Sequence, residues 1–189
     1  FLNGIDTDMY NPATDPSIPA NFTVSKKAGK KICTQKLLEE VGLPQGDEPV
    51  LGMVSRLVEH KGFDLVRAVF DDIIATDMQV VILGSGESQY EEFFQNMHWR
   101  YPDKVGFYRG FNTGLAKRIY AGADMFLMPS KSEPCGLAQM ISARYGTIPI
   151  VRATGGLKDS IVDYGDNGIG FTFQSYNAHD MLGAIQRAK

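Results

Sequence analysis

The chain has 189 residues, 43% of them hydrophobic and 22% charged, enough for one good-sized core in an ordinary globular protein. A net charge of −3 and a pI near 5.6 exclude a general nucleic-acid binder, which needs a basic surface to neutralise phosphates. No apolar run approaches the ~20 residues that span a bilayer, so neither a membrane nor nucleic acid is expected as a partner.

The opening, FLNGIDTDMYNP, has no initiator Met and no basic stretch of the kind that starts a signal peptide. Residues 1–25 are rich in Pro, Asn, Asp and Thr without apolar periodicity, and they predict an extended linker ahead of one domain over 26–189. A helix is predicted over Lys30–Val41, with Leu37, Leu38 and Val41 on one face and Gly42 as its stop. Strands are then predicted at Val50–Val54, Gln79–Leu83, Val105–Tyr108, Met125–Met128, Ile148–Val151 and Ile169–Phe173. Helices are expected between them at Phe63–Ala75, Ser88–Arg100, Thr113–Ala121, Gly136–Tyr145 and Leu157–Asp163, with another starting near Ala178. The final QRAK stops inside a helical pattern, which together with the opening reads as a piece of a longer protein.

Strand and helix alternate at βαβ spacing, and the strands are apolar throughout rather than on one face. Both features predict an α/β fold, a doubly wound parallel sheet with helices on both faces. In such sheets ligands sit outside the carboxyl ends of the strands, so the strand-to-helix loops are where chemistry is sought.

Arg56 and Lys61 fall between the first strand and its helix. A helix N-terminus disfavours cations unless an anion arrives, when amides, dipole and side chains all point at it; the pair reads equally well as two solvated surface charges. Gly84 and Gly86, in LGSGE, permit close backbone approach to a ligand, but without the third glycine of a dinucleotide fingerprint a plain turn fits as well. Phe111, just past a strand end, would stack on a base if exposed; burial in the core is the commoner use. In SEPCGLAQM, Pro134 ends the strand and a helix opens at Gly136. The amides of Gly136, Leu137 and Ala138 suit a phosphate, and Glu133 suits sugar hydroxyls or a developing cation, or else simply caps the helix. Thr154-Gly155-Gly156 lies between a strand and a helix start and permits another close approach, or an ordinary turn.

Two cysteines, Cys33 and Cys135, with no nearby ligand partners predict neither a zinc site nor a disulfide framework, and suggest a reducing, intracellular setting. His60, His98 and His179 have no Cys or carboxylate at ligand spacing and receive no role. Clustered acids at strand ends, which a signalling receiver domain needs, are missing. A module that binds a nucleotide or sugar phosphate without catalysis remains open beside an enzyme.

SRLVEHKGFDLV, EPCGLAQMISARYGTIPIVRATGGLKDSI and NGIDTDMYNPATD closely resemble the nucleotide-sugar-binding C-terminal domain of bacterial glycogen synthases and plant starch synthases, retaining family 5 glycosyltransferases of GT-B fold. The resemblance covers nearly the whole chain. It implies a Rossmann-like domain that binds ADP-glucose or ADP, partnered by its own N-terminal domain and by an α-1,4-glucan acceptor. No metal or other cofactor is implied. The location would be cytoplasmic in a bacterium or plastidic in a plant. Arg56 and Lys61 would bind the donor diphosphate and stabilise the leaving ADP. Glu133 would contact glucose hydroxyls and support an oxocarbenium-like transition state. The amides of Cys135, Gly136, Leu137 and Ala138 would hold sugar and phosphate, and Thr154, Gly155 and Gly156 would lie near the glucosyl group. Phe111 stands where relatives carry a Tyr that stacks on adenine, and Ala138 where many carry Thr. Related GT-B enzymes using another nucleotide sugar share the fold and the E-x-x-G-L pattern.

Overall fold

The computed structural model describes residues 11–23, 28–130, 137–152, 171–173 and 178–188. β1 (Val50–Val54), β2 (Gln79–Gly84), β3 (Val105–Arg109), β4 (Met125–Met128), β5 (Ile148–Arg152) and β6 (Phe171–Phe173) form one sheet in the order β3-β2-β1-β4-β5-β6. Every pairing is parallel. The central strand β1 pairs through Leu51 with Val80 on one side and Met125 on the other. The helices are α1 (Ala28–Val41), α2 (Phe63–Ala75), α3 (Ser88–Arg100), α4 (Thr113–Gly122), α5 (Leu137–Arg144) and α6 (Ala178–Ala188).

The strands are apolar throughout because both faces are covered. Leu51, Met53, Val80 and Ile82 point into a core shared with α2, α3 and α6. Their neighbours Val50, Val81 and Leu83 point the other way, against α1 and α4. Phe63 and Phe70 of α2 meet Phe94 of α3 edge-on, at centroid distances of 5.7 and 5.8 Å, which locks the two helices over one face. Among the described residues no helix is long and apolar enough to cross a membrane.

Among the described residues the predicted elements stand, with β2, β3, β5 and α4 each running one residue further, α1 starting earlier, at Ala28, and α5 ending one residue sooner, at Arg144. The helix expected at Leu157–Asp163 lies outside the described residues, as does Gly136. Residues 11–23 differ from the extended linker expected of the opening. Ile18 and Phe22 are buried in a third cluster with Cys33, Tyr120, Phe126 and Tyr145. Asp15, only 3% exposed, accepts a hydrogen bond from the Tyr145 hydroxyl and stands 3.5 Å from Lys117 Nζ. The local pattern misses this because the partners lie more than a hundred residues away in sequence. Cys33 is a buried free thiol, pushed up in pKa by burial and donating to the Ala20 carbonyl at 3.2 Å.

Candidate nucleotide-sugar site at the carboxyl rim

The strand order reverses between β1 and β4, and the helices that follow them, α2 and α5, pack on opposite faces, the point at which such sheets take their ligands. The β1 loop carries both predicted cations. Arg56 is exposed two residues past the strand end, and half-buried Lys61 closes a 3-10 turn over Glu59–Lys61. Gly62 follows in the left-handed conformation, φ 90°, and is the N-cap of α2. A glycine cap has no side chain to accept from the first-turn amides, which suits a helix end meant to receive an anion.

The two neighbouring loops are laced to this one by main-chain hydrogen bonds beyond the strands. Ser55 N donates to the Leu83 carbonyl at 3.1 Å, Leu57 N to that of Ser85 at 2.9 Å, and Glu87 N to that of Leu57 at 2.9 Å. The Gly110 amide then donates to the Gly84 carbonyl at 3.0 Å, tying in the end of β3. The rim is therefore an extension of the sheet, and it holds its side chains on a rigid frame.

Gly84 and Gly86 are explained by this lacing. A Cβ on Gly84 would collide with the Ser55 carbonyl, and one on Gly86 would stand 2.6 Å from the Leu57 carbonyl oxygen. The approach expected of these glycines was to a ligand; the group that comes close to them in the structure is the protein's own backbone, at Ser55 and Leu57.

Phe111 is 83% exposed, which decides against the core reading. It sits between the Gly110 anchor and Asn112, whose Oδ1 accepts from Leu115 N at 2.9 Å and caps α4. An aromatic ring is thus held in water on a fixed backbone at the same rim as the two cations.

Several contributors to the rim escaped the sequence reading. Glu87 accepts the Glu59 amide at 3.2 Å and Gln89 Nε2 at 2.7 Å; Glu91 accepts the Gly86 amide at 2.7 Å. These carboxylates brace loops. Gly62 and Asn112 also went unremarked, although a glycine before an apolar helix and an Asn opening one are ordinary start signals.

Leu137 and Ala138 lie in the first turn of α5, the helix following β4. Glu133, Cys135, Gly136, Thr154, Gly155 and Gly156 lie outside the described residues. In chain order the first three belong to the connection between β4 and α5. A separate cavity of about 870 Å³ opens at the opposite pole, where Pro49, Asp124 and Ile148 precede or begin their strands. That pole has no loop leaving a strand, and the cations and exposed aromatic are at the other.

The rim can hold a diphosphate at Arg56, Lys61 and the start of α2, and a flat base against Phe111. Residues 35–189 match the family model for glycosyl transferases group 1. The chain belongs to the group 1 glycosyl transferases. This group 1 domain is 54% identical to the glycogen synthase of Anoxybacillus flavithermus over the whole chain, and covers 40% of that protein. It superposes with a TM-score of 0.92 and 39% identity on the catalytic domain of starch synthase IV from Arabidopsis thaliana bound to ADP and acarbose, again covering all of this chain and 40% of the other. Sucrose-phosphate synthase from Thermosynechococcus elongatus shares the fold at a TM-score of 0.64 and 24% identity over 81% of the chain. The Rossmann-like reading and the GT-B assignment both hold. The group 1 domain spans about two fifths of the length of the relatives it matches.

Proposed function

We propose that the chain is the donor-binding half of an ADP-glucose:α-1,4-glucan glucosyltransferase of the glycogen or starch synthase type, which extends non-reducing glucan ends with retention. The observation that carries the reading is the 54% identity to a glycogen synthase along the entire chain. ADP is favoured as the nucleotide because the starch synthase IV domain with TM-score 0.92 is one bound to ADP.

In this reading Arg56 and Lys61 grip the diphosphate and offset the charge that builds on it as the bond to glucose breaks, with the α2 N-terminus adding its dipole. Fixed cations are worth more here than mobile ones because they need no reorganisation during the reaction. They do the work that a divalent ion does elsewhere, and no metal is required. Phe111 stacks on the adenine. Gly84 and Gly86 keep the rim tight beneath the nucleotide. Glu133 orients glucose hydroxyls and faces the oxocarbenium-like centre, and the amides of Cys135, Gly136, Leu137 and Ala138 hold sugar and phosphate. Thr154, Gly155 and Gly156 border the glucosyl group. The lacing of the rim matters because a misplacement of about 1 Å can cost on the order of 100-fold in rate.

The acceptor glucan enters from a second, N-terminal domain, so these 189 residues alone bind nucleotide without elongating glucan. In a bacterium the enzyme is cytoplasmic.

Calorimetric titration of ADP, UDP and ADP-glucose tests the reading. ADP is expected to bind more tightly than UDP, and Lys61→Ala to weaken ADP by about 1–3 kcal/mol, as for a charge-assisted contact. Equal or tighter binding of UDP removes the ADP-glucose assignment. Failure of ADP to bind even when the missing N-terminal half is restored removes the donor-site reading altogether.

A further inference from the structure

At the edge of the sheet farthest from β6, the outer strand β3 and helix α3 enclose a second hollow. Glu92, Gln95, Asn96 and Trp99 follow one another at i, i+3, i+4 and i+7, so they share one face of α3. Across from them stand Phe107 and Arg109 of β3, and the groove between has a volume of about 330 Å³. Glu91 holds the Arg109 guanidinium toward the helix, Nε to Oε1 3.6 Å.

Trp99 is the anomaly in this arrangement. The same helix buries Tyr90, Phe94 and Met97 on its inner face, yet leaves its indole 70% exposed. A large apolar plate bordered by planar amide, carboxylate and guanidinium groups suits a ligand with a flat apolar face and polar edges. We propose that this groove binds a segment of α-glucan chain, with Trp99 lying flat on the apolar face of a glucose ring and Gln95, Asn96, Glu92 and Arg109 hydrogen-bonding its hydroxyls. The identity of the sugar rests on the donor-site reading above; the groove itself does not.

The chemistry of the groove selects against other occupants. The buried centre of a protein–protein interface favours Trp and Arg but is depleted of carboxylates, and here Glu91 and Glu92 line the hollow. A nucleic acid would meet two adjacent carboxylates, Glu91 and Glu92. A glucan is uncharged, with apolar ring faces and hydroxyl edges, which matches one aromatic plate bordered by planar donors and acceptors. The volume lies at the small end of ligand cavities, and it suits a short stretch of polymer passing through rather than a whole ligand enclosed. Such a hold keeps a polymeric substrate near the enzyme between transfers and raises its local concentration.

Trp99 is the chain's only tryptophan, so its fluorescence reports this groove alone. Maltoheptaose titrated into the protein is expected to shift or quench that emission saturably, and the Gln95→Ala, Asn96→Ala double variant to weaken the response about tenfold or more. An emission unchanged up to tens of millimolar sugar (an estimate set by the weakest specific sites, about 1 mM or looser) overturns the proposal. So does a response that the double variant leaves intact. A concentration-dependent dimer in sedimentation that Trp99→Ala dissolves would make the face a protein contact and also overturn it. ADP calorimetry on the same samples keeps the two readings apart. ADP binding with a silent Trp99 refutes the groove and leaves the donor site standing; a responsive Trp99 without ADP binding does the reverse.

Discussion

Gly62 is wedged against Pro129: a Cβ on Gly62 would stand 2.6 Å from the proline Cγ and press into its carbonyl. This contact joins the β1 loop to the end of β4 across the point where the strand order reverses. It places Lys61 one residue from the seam on one side, and on the other the chain runs from Pro129 toward Glu133. The φ of 90° adds a second demand for glycine at the same residue. Gly62→Ala is therefore expected to cost about 2–3 kcal/mol in stability, read as a lower denaturant midpoint, and to weaken ADP as Lys61 is pushed off its position. Unchanged stability and unchanged ADP affinity would show that the seam does not set the rim.

Phe111 separates binding from folding. At 83% exposure its ring adds almost nothing to the core. Phe111→Ala is expected to leave the thermal melting temperature unchanged and to weaken ADP by about 1–2 kcal/mol, the scale of base-on-aromatic stacking. Phe111→Tyr keeps the ring and should bind ADP like the parent. A melting temperature that falls with the alanine variant, or an ADP affinity that does not, would return Phe111 to a structural role.

What was legible in the sequence follows from how far each signal reaches. The strands and helices were local: runs such as VLGMV and QVVILG need only their own apolar residues to specify a strand covered on both faces. The rim was partly legible: Arg56, Lys61 and Phe111 stand out by position after strands, but by type alone the cations fit a solvated surface equally well and the ring fits a core better. The reasons for Gly84 and Gly86 were not, since the backbone that needs their space, at Ser55 and Leu57, belongs to another loop. The opening was least legible. Ile18 and Phe22 are two apolar residues in a polar stretch, and nothing local says that Tyr145 completes their cluster.

Nucleotide binding should need no divalent ion. Arg56 and Lys61 supply positive charge at the rim, and the proposed diphosphate site asks for nothing more. ADP titrated with excess chelator is expected to match ADP titrated with magnesium to within experimental error. Raising salt should weaken both alike, because a partly exposed cation site is screened. A large gain in affinity on adding magnesium would sink the idea that the two side chains suffice.

The Asp15–Tyr145 contact ties the opening to the domain through charge. Burial by itself pushes the Asp15 carboxyl up in pKa, but the hydrogen bonds from Tyr145 and Ser17 and the nearby Lys117 cation outweigh it and hold the group below its usual value of 3.8. A carboxyl whose folded pKa is depressed stabilises the fold fully above its unfolded value. That stability is lost as the pH falls from there through the folded value. Asp15→Asn removes the charge, leaves Lys117 without this carboxylate, and is expected to cost about 3 kcal/mol at pH 7. The gap between parent and variant should narrow as the pH drops below about 4, because the unfolded parent then takes up a proton that folded Asp15 resists, while the variant has nothing to titrate. Urea denaturation at pH 7, 5 and 3 measures it. A gap that stays constant across that range would mean that Asp15 acts through shape and hydrogen bonding, with its charge contributing nothing.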